Sequence, residues 1–379
     1  MIKILTYHEI DIQQWQELIE TSATATWFQT KEAYEFYAAN PEEMTPFAVG
    51  VVEDVECKAE SVKCKGEENG KADAPASSPY TLHPTPTLKG VVVGYITRER
   101  SALKQFFTRR AIIIGGPLLA EDATAEEIAA LLNAVKKLQR SNLQPVGRST
   151  EKRSTGHSPI YIETRNFHDY SKWKEIFAEC GFDYIPHLNF HVDCMQDNIL
   201  SIMSESRRRQ IKKAIRNGVE IVEAANEHDV IAFYNILEDL YKNKIKTPLF
   251  GLEFFLNFYK SCSGKFLLVK YQTTIIGGII CPILKEKAIY EWFVCGLDEM
   301  YKNQYPSVMA TYAAIEYAKT NNLPLFDFMG AGKPDEPYGV RDFKARFGGK
   351  QVEYGRFLHV RKPVLYKIGK LGVKILQKK

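Results

Sequence analysis

The 379-residue chain has no long hydrophobic run. Its longest near-continuous apolar stretch, 274–284, is 11 residues long and contains Pro282. A spanning helix needs about 20, so no transmembrane helix is expected. The opening residues MIKILTYHE turn polar too soon for a secretory signal, and the expected location is the cytoplasm. Cysteine is scarce and unpatterned: seven residues, an odd number, without a CxxC pair. That speaks against a disulfide framework or a zinc site and for reduced thiols. His8, His168, His187, His191, His228 and His359 lack metal-ligand spacing with carboxylates or cysteines, and neither a P-loop nor a nucleophile elbow occurs. No metal and no cofactor are expected. Charge of one sign is also lacking. Fifty Lys and Arg against 46 Asp and Glu leave +4, so an anionic partner has to be met by local clusters.

What is present is an ordinary globular composition, 45% hydrophobic and 25% charged, at a length that suggests two domains. Residues 56–90 hold only Val62, Tyr80, Leu82 and Leu88 as large apolar side chains, with Pro75, Pro79, Pro84 and Pro86. Such a segment buries too little to offset its ordering entropy, so a disordered insert is expected, in a hairpin between the Val-rich strands 46–53 and 90–97. A second polar insert spans 139–159. With both set aside, one order of elements reads twice: helix pair, three-strand meander, helix, strand, strand. The expected division is 1–185 and 186–379. Single strands are predicted near 184–193 and near 351–360, and the class is mixed α/β.

Between the halves, 204–217 reads as a helix crowded by Arg207, Arg208, Arg209, Lys212, Lys213 and Arg216, with Gly218 as its stop. Near the end, LFDFMGAGKPDEPYGVRDFKARFGG (325–349) runs from a strand into Gly330 and Gly332. Lys333, Arg341, Lys344 and Arg346 follow within 14 residues. Glycines at a strand end admit a ligand or another backbone, and the cations suit an anion or an oxyanion formed in acyl transfer.

These pieces resemble the Fem-type (FemABX) peptidyltransferases, which attach amino acids to peptidoglycan stem peptides. The resemblance is carried by Ile275-Ile276-Gly277-Gly278, the helix opening at Pro306, Phe326-Asp327-Phe328-Met329-Gly330, and Phe343-Lys344-Ala345-Arg346-Phe347-Gly348-Gly349. The basic helix ending in Gly218-Val219 and the segment Trp27-Phe28-Gln29-Thr30 add to it. It implies two tandem domains of the GCN5-related N-acyltransferase (GNAT) fold with mixed, largely antiparallel sheets. It also implies aminoacyl transfer from tRNA to an amine on a lipid- or nucleotide-linked cell-wall precursor. By the same resemblance Lys344 supplies positive charge at the reacting carbonyl and Phe343 shapes the site. Gly330 and Gly332 would line the cleft. Arg341, Arg346 and Lys333 would bind anions, with Arg207 and Arg209 as candidates for substrate phosphates. Tyr290 and Trp292 would be cleft wall or core. The coiled-coil arm of some members is not evident, and Lys242, Lys244 and Lys246 stand where members often show Arg.

Two alternatives stay open. An acyl-coenzyme A N-acyltransferase holds pyrophosphate on a glycine-rich loop at a helix N-terminus, but 302–307, Lys-Asn-Gln-Tyr-Pro-Ser, has no glycine. The other is a non-catalytic protein that binds at the membrane surface. From Arg356 to Lys379 there are eight Lys/Arg and no acid, with Leu365, Ile368, Leu371, Ile375 and Leu376 at helical spacing. A basic amphipathic helix can lie on an anionic membrane, so peripheral contact with the inner membrane face is a further expectation. A terminal helix docked on its own domain is the plainer one.

Overall fold

Two mixed sheets, each covered by helices, make up the described part of the chain: residues 1–53, 86–98, 109–138 and 158–378 of a computed structural model, the last seven by backbone alone. Most of both expected inserts lies outside these residues. The first half runs β1 (Ile2–Thr6), α1 (Ile12–Thr21), α2 (Lys31–Ala38), β2 (Met44–Glu53), β3 (Thr87–Thr97), β4 (Arg110–Gly115), β5 (Leu118–Leu119), α3 (Ala125–Lys136), β6 (Tyr161–Asn166), α4 (Lys174–Glu179) and β7 (Asp183–Ile185). The second half begins with β8 (Leu188–Asp193), α5 (Glu205–Arg216), β9 (Val219–Glu223), α6 (Glu227–Leu240), α7 (Leu252–Ser261), β10 (Gly264–Tyr271) and β11 (Thr274–Leu284). It ends with β12 (Ala288–Tyr290), β13 (Phe293–Gly296), α8 (Pro306–Thr320), β14 (Leu325–Asp327), α9 (Gly339–Ala345), β15 (Lys350–Glu353), β16 (Arg356–Val360) and α10 (Pro363–Lys378).

The first sheet has the order β1-β2-β3-β4-β6-β16-β7 and the second β15-β8-β14-β12-β11-β10-β9, with β5 on β3 and β13 on β11. Pairing is antiparallel except for β4–β6 and β12–β14, each of which needs a crossover. The helices α3 and α8 supply these crossovers, which is the repeat read from the sequence. In β2 and β3 the Val-rich runs are buried on both faces, because α3 packs on β2 and β3 from one side and α1 and α2 from the other.

Two strands differ from expectation. The stretch near 184–193 breaks at Pro186 into β7 and β8, and the stretch near 351–360 breaks at Gly355, φ 62°, into β15 and β16. Proline has no N–H for a ladder, and a positive φ turns the chain out of the strand. Ile185 pairs with Arg356 and Leu188 with Glu353. The two segments therefore form one antiparallel ribbon that leaves the first sheet and enters the second. Arg356–Val360 belongs to the first sheet, so a division at 185/186 describes the strands only as far as Glu353.

One apolar cluster bridges the halves. Trp27 meets Trp292 at 5.8 Å and Phe258 at 5.7 Å, and Phe36 meets Phe254 at 4.9 Å. The segment Trp27-Phe28-Gln29-Thr30 is therefore buried at the junction. Gln29 is fully enclosed, with its Nε2 donating to the Gly116 carbonyl at 2.9 Å.

Candidate functional site

The basic helix α5 starts at Ser204, whose hydroxyl accepts from the Arg207 amide. Arg207, Ile211 and Ala214 fall at i, i+4 and i+7, one stripe of the helix, and all three are buried. Arg207 thus occupies a core-facing position with a charged side chain, 2% exposed. Its guanidinium carbon lies 4.5 Å from the Phe343 ring centre and 4.3 Å from that of Phe347. Nη1 donates to Gln210 at 2.9 Å and Nη2 to the Phe343 carbonyl at 3.0 Å, while Nε has no partner. Among the described residues no carboxylate forms an ion pair with it. Burial, then Arg346, pull its pKa down to about 10.

Arg207 lines a cavity of about 470 Å³ together with Gln210, Asp298, Tyr305, Phe343 and Arg346. The cavity lies between α5, the start of α8 and the short helix α9. Tyr305, at φ 49°, turns the chain into α8. The first free amide there, Ser307 N, already donates to Asp298 Oδ1 at 3.1 Å, and the Ser307 hydroxyl donates to Asp298 as well. A carboxylate therefore occupies the helix N-terminus that would otherwise attract an anion.

Lys344 is the buried residue of α9. Three residues in four, Met329 (φ 57°), Gly330 (φ 133°) and Gly332 (φ 78°), curl the chain after β14. The curl aims the Phe328 and Gly330 carbonyls at Lys344 Nζ, each at 2.8 Å. The third partner is Glu291 Oε1 at 3.0 Å. Glu291 sits on the ladder-free segment between β12 and β13, and its carboxylate also accepts from Thr311 on α8 at 3.3 Å. Burial pushes its pKa up, and Lys344 and Thr311 only partly oppose that. Asp327 anchors the curl from the other face. Its Oδ1 accepts from Met329 N at 2.6 Å and Asn189 Nδ2 at 2.7 Å, and His191 Nε2 lies 3.0 Å from Oδ2. Burial raises the Asp327 pKa, but His191 and these donors outweigh it and leave it lowered. The Phe-Asp-Phe-Met-Gly motif thus holds the backbone that holds the lysine.

The candidate residues fall into separate places. Arg207, Phe343 and Arg346 meet at the cavity, and Lys344, next to Phe343 in the chain, is buried away from its lining. Arg341 is used structurally. It donates to the carbonyls of Ala331 (3.0 Å) and Glu336 (3.1 Å) and to that of Lys333, and so ties the 331–336 loop. Lys333 pairs with Glu336 in solvent at 2.8 Å. Arg209, with 72% of its side chain exposed, pairs with Glu205 on the outer face of α5. Gly332 packs under Tyr338, and Gly330 faces His187 across the ribbon. Tyr290 is buried against Phe28 and Phe167, and Trp292 belongs to the interdomain aromatic cluster. Glu291, Thr311, Gln210 and Asp298 were missed. Glu291 carries no local signal beyond a charge in an apolar strand run.

A second polar group lies where the ribbon crosses between the sheets. Arg356 Nη1 meets Glu163 at 2.5 Å and Nη2 meets His187 Nε2 at 2.9 Å. Burial opposes ionisation of Glu163, but Arg165, Arg356 and Arg110 overcome it and hold its pKa at about 2. Burial and Arg356 hold His187 at about 3. Among the described residues no cluster of three His, Cys, Asp or Glu is placed to hold a metal ion.

This architecture is that of the tandem GNAT proteins. The described fold superposes on a tandem GNAT protein from the clavulanic acid biosynthesis pathway with TM-score 0.51 at 9% identity, over 94% of this chain and 98% of that one. It superposes with TM-score 0.52 at 8% identity on a conserved protein of unknown function from Bacteroides thetaiotaomicron, over 94% and 99%. The crystal structure of FemX matches with TM-score 0.63 at 11% identity, over 97% of this chain and 99% of that one. Residues 276–374, which contain the curl, Glu291 and Lys344, match the FemAB family. A comparison with curated proteins gives no match. Family and fold together support a transferase.

Proposed function

We propose that the protein transfers an aminoacyl group from aminoacyl-tRNA to an amine of a peptidoglycan or surface-glycan precursor, lipid- or nucleotide-linked, in the cytoplasm. One observation carries the donor assignment: Arg207 is buried between two rings without a carboxylate partner, on the wall of a cavity it shares with Arg346. An unpaired buried charge costs several kcal/mol, and a phosphodiester entering the cavity offsets that cost. Arg207 and Arg346 would take the phosphate, with Phe343 as the wall against the terminal nucleotide. Acyl-coenzyme A fits less well, because Asp298 already caps the start of α8 where a pyrophosphate would bind.

In the transfer, a neutral acceptor amine attacks the ester carbonyl carbon. A C–N bond forms, the carbonyl oxygen takes the charge, and the ester C–O bond then breaks. The departing ribose oxygen gains the proton that the nitrogen gives up. Lys344 already uses all three ammonium protons, on Phe328, Gly330 and Glu291. It serves the oxyanion by exchanging the less buried of its two carbonyl partners, that of Gly330, for the substrate oxygen. Glu291 is the positioning residue that pairs with the ammonium and keeps it aimed.

The test is mass spectrometry of nucleotide- and lipid-linked precursors incubated with the protein and charged tRNA, with acyl-coenzyme A in a parallel reaction. A mass gain of one amino acid residue with tRNA alone, lost in Lys344→Ala, is the expected result. A gain only with acyl-coenzyme A replaces the donor. No gain with either leaves a binding protein.

A further inference from the structure

We propose that α10 docks the protein in the plane of an anionic lipid bilayer. The proposal goes beyond the transferase reading and stands without it. Val364, Ile368 and Leu371 fall at i, i+4 and i+7 of the helix, one continuous arc. They are 70%, 49% and 61% exposed. Other amphipathic helices of this chain behave differently; α1 buries Trp15, Leu18 and Ile19. The opposite side of α10 is the docked one. Leu365, Tyr366 and Gly369 are half-buried there, and the Tyr366 ring meets Tyr161 edge-on at 5.2 Å. The helix is thus tethered along one side and presents an apolar row on the other.

Charge selects the occupant. Lys367 and Lys370 are exposed beside the apolar arc, and residues 356–379 contain eight Lys/Arg and no acid. A second copy of this chain would bring the same acid-free helix against itself, which like charges oppose. An anionic bilayer offers apolar depth for the row and negative headgroups for lysines that reach upward from it. No described helix is long and apolar enough to cross a membrane, so α10 would lie in the surface. β16 starts at Arg356, beside His187 at the sheet crossing, and ends at Val360, four residue steps or roughly 13 Å away, and α10 continues from that far end.

The experiment is co-sedimentation of the full chain with vesicles of phosphatidylglycerol and phosphatidylcholine, against pure phosphatidylcholine, at low and high salt. Binding to the anionic vesicles that weakens with salt is expected. Ile368→Glu with Leu371→Glu should reduce it about tenfold or more, and Lys367→Gln with Lys370→Gln about fivefold per lysine. All four side chains are exposed, so circular dichroism of both variants should match the parent. Equal binding to pure phosphatidylcholine, or full binding by the Ile368→Glu, Leu371→Glu variant, overturns the proposal. So does light scattering that shows a dimer dissociated by that variant without vesicle binding, since the row would then be an interface between copies.

Discussion

The buried pair Lys344–Glu291 allows a sharp thermodynamic test. The two side chains are 11% and 3% exposed and their charged atoms are 3.0 Å apart. Lys344→Met removes the ammonium and leaves Glu291 with only the Thr311 hydroxyl. Breaking a buried pair from one side costs about 3–5 kcal/mol, whereas replacing both partners by neutral groups of similar shape is close to neutral. At pH 7 Lys344→Met should therefore lose about 3 kcal/mol, and Lys344→Met with Glu291→Gln should recover most of it. The pH dependence has a definite sign. The folded pKa of Glu291 is already raised by burial, and removing Lys344 withdraws its largest opposing influence. A carboxyl whose folded pKa is raised favours the native state below its unfolded value of about 4.5, and that contribution is lost as pH rises through the folded value. The single variant should thus lose stability progressively from pH 4.5 upward, and the double variant should not. Urea unfolding followed by circular dichroism between pH 4.5 and 8 reads both effects. A single variant within about 1 kcal/mol of the parent, or a loss that does not grow with pH, would refute the reasoning. Both variants should lack transfer, because the charge aimed at the oxyanion is gone.

Arg207→Met removes a buried charge that has no carboxylate partner, so stability should hold or rise, by up to about 4 kcal/mol, while KM for charged tRNA rises at least tenfold. Arg207→Lys should not restore KM, since an ammonium lacks the planar fork that lies between Phe343 and Phe347. Glu163, held at about 2 against an ordinary 4.5, contributes about 3 kcal/mol that is present above pH 4.5 and is lost as pH falls toward 2. Glu163→Gln should destabilise by that order at pH 7 and lose one proton from the acid limb of the stability profile. His187, whose folded pKa is depressed to about 3, should keep a neutral imidazole signature by NMR at pH 5. Trp292→Ala opens a cavity among Trp27, Phe254 and Phe258 and should cost about 3–5 kcal/mol. It should also separate the unfolding of the two halves in intrinsic fluorescence, since that cluster joins them.

Much of this molecule was legible in its sequence. Hydrophobic periodicity located most helices and strands to within a few residues, though not β1, β9 or the short α9, because the covered faces of α1, α3 and α5 and the doubly covered β2 and β3 each impose their own period. The Phe-Asp-Phe-Met-Gly and Phe-Lys motifs marked the catalytic candidate, whereas nothing in the charged run 207–216 set Arg207, which turns inward, apart from Arg209, which stays in solvent. Long-range pairing decided the rest. The ribbon of 183–193 with 350–360 crosses between sheets because Pro186 and Gly355 stand opposite one another at its bend, a coincidence of register between segments more than 150 residues apart. Arg341 and Arg346 look alike in sequence, yet one ties a loop through carbonyls and the other faces the cavity, since successive helix positions point 100° apart. Glu291 had no motif. Only the opening between β12 and β13 brings its carboxylate under Lys344, and a buried charge acquires its meaning from the partner that the fold delivers.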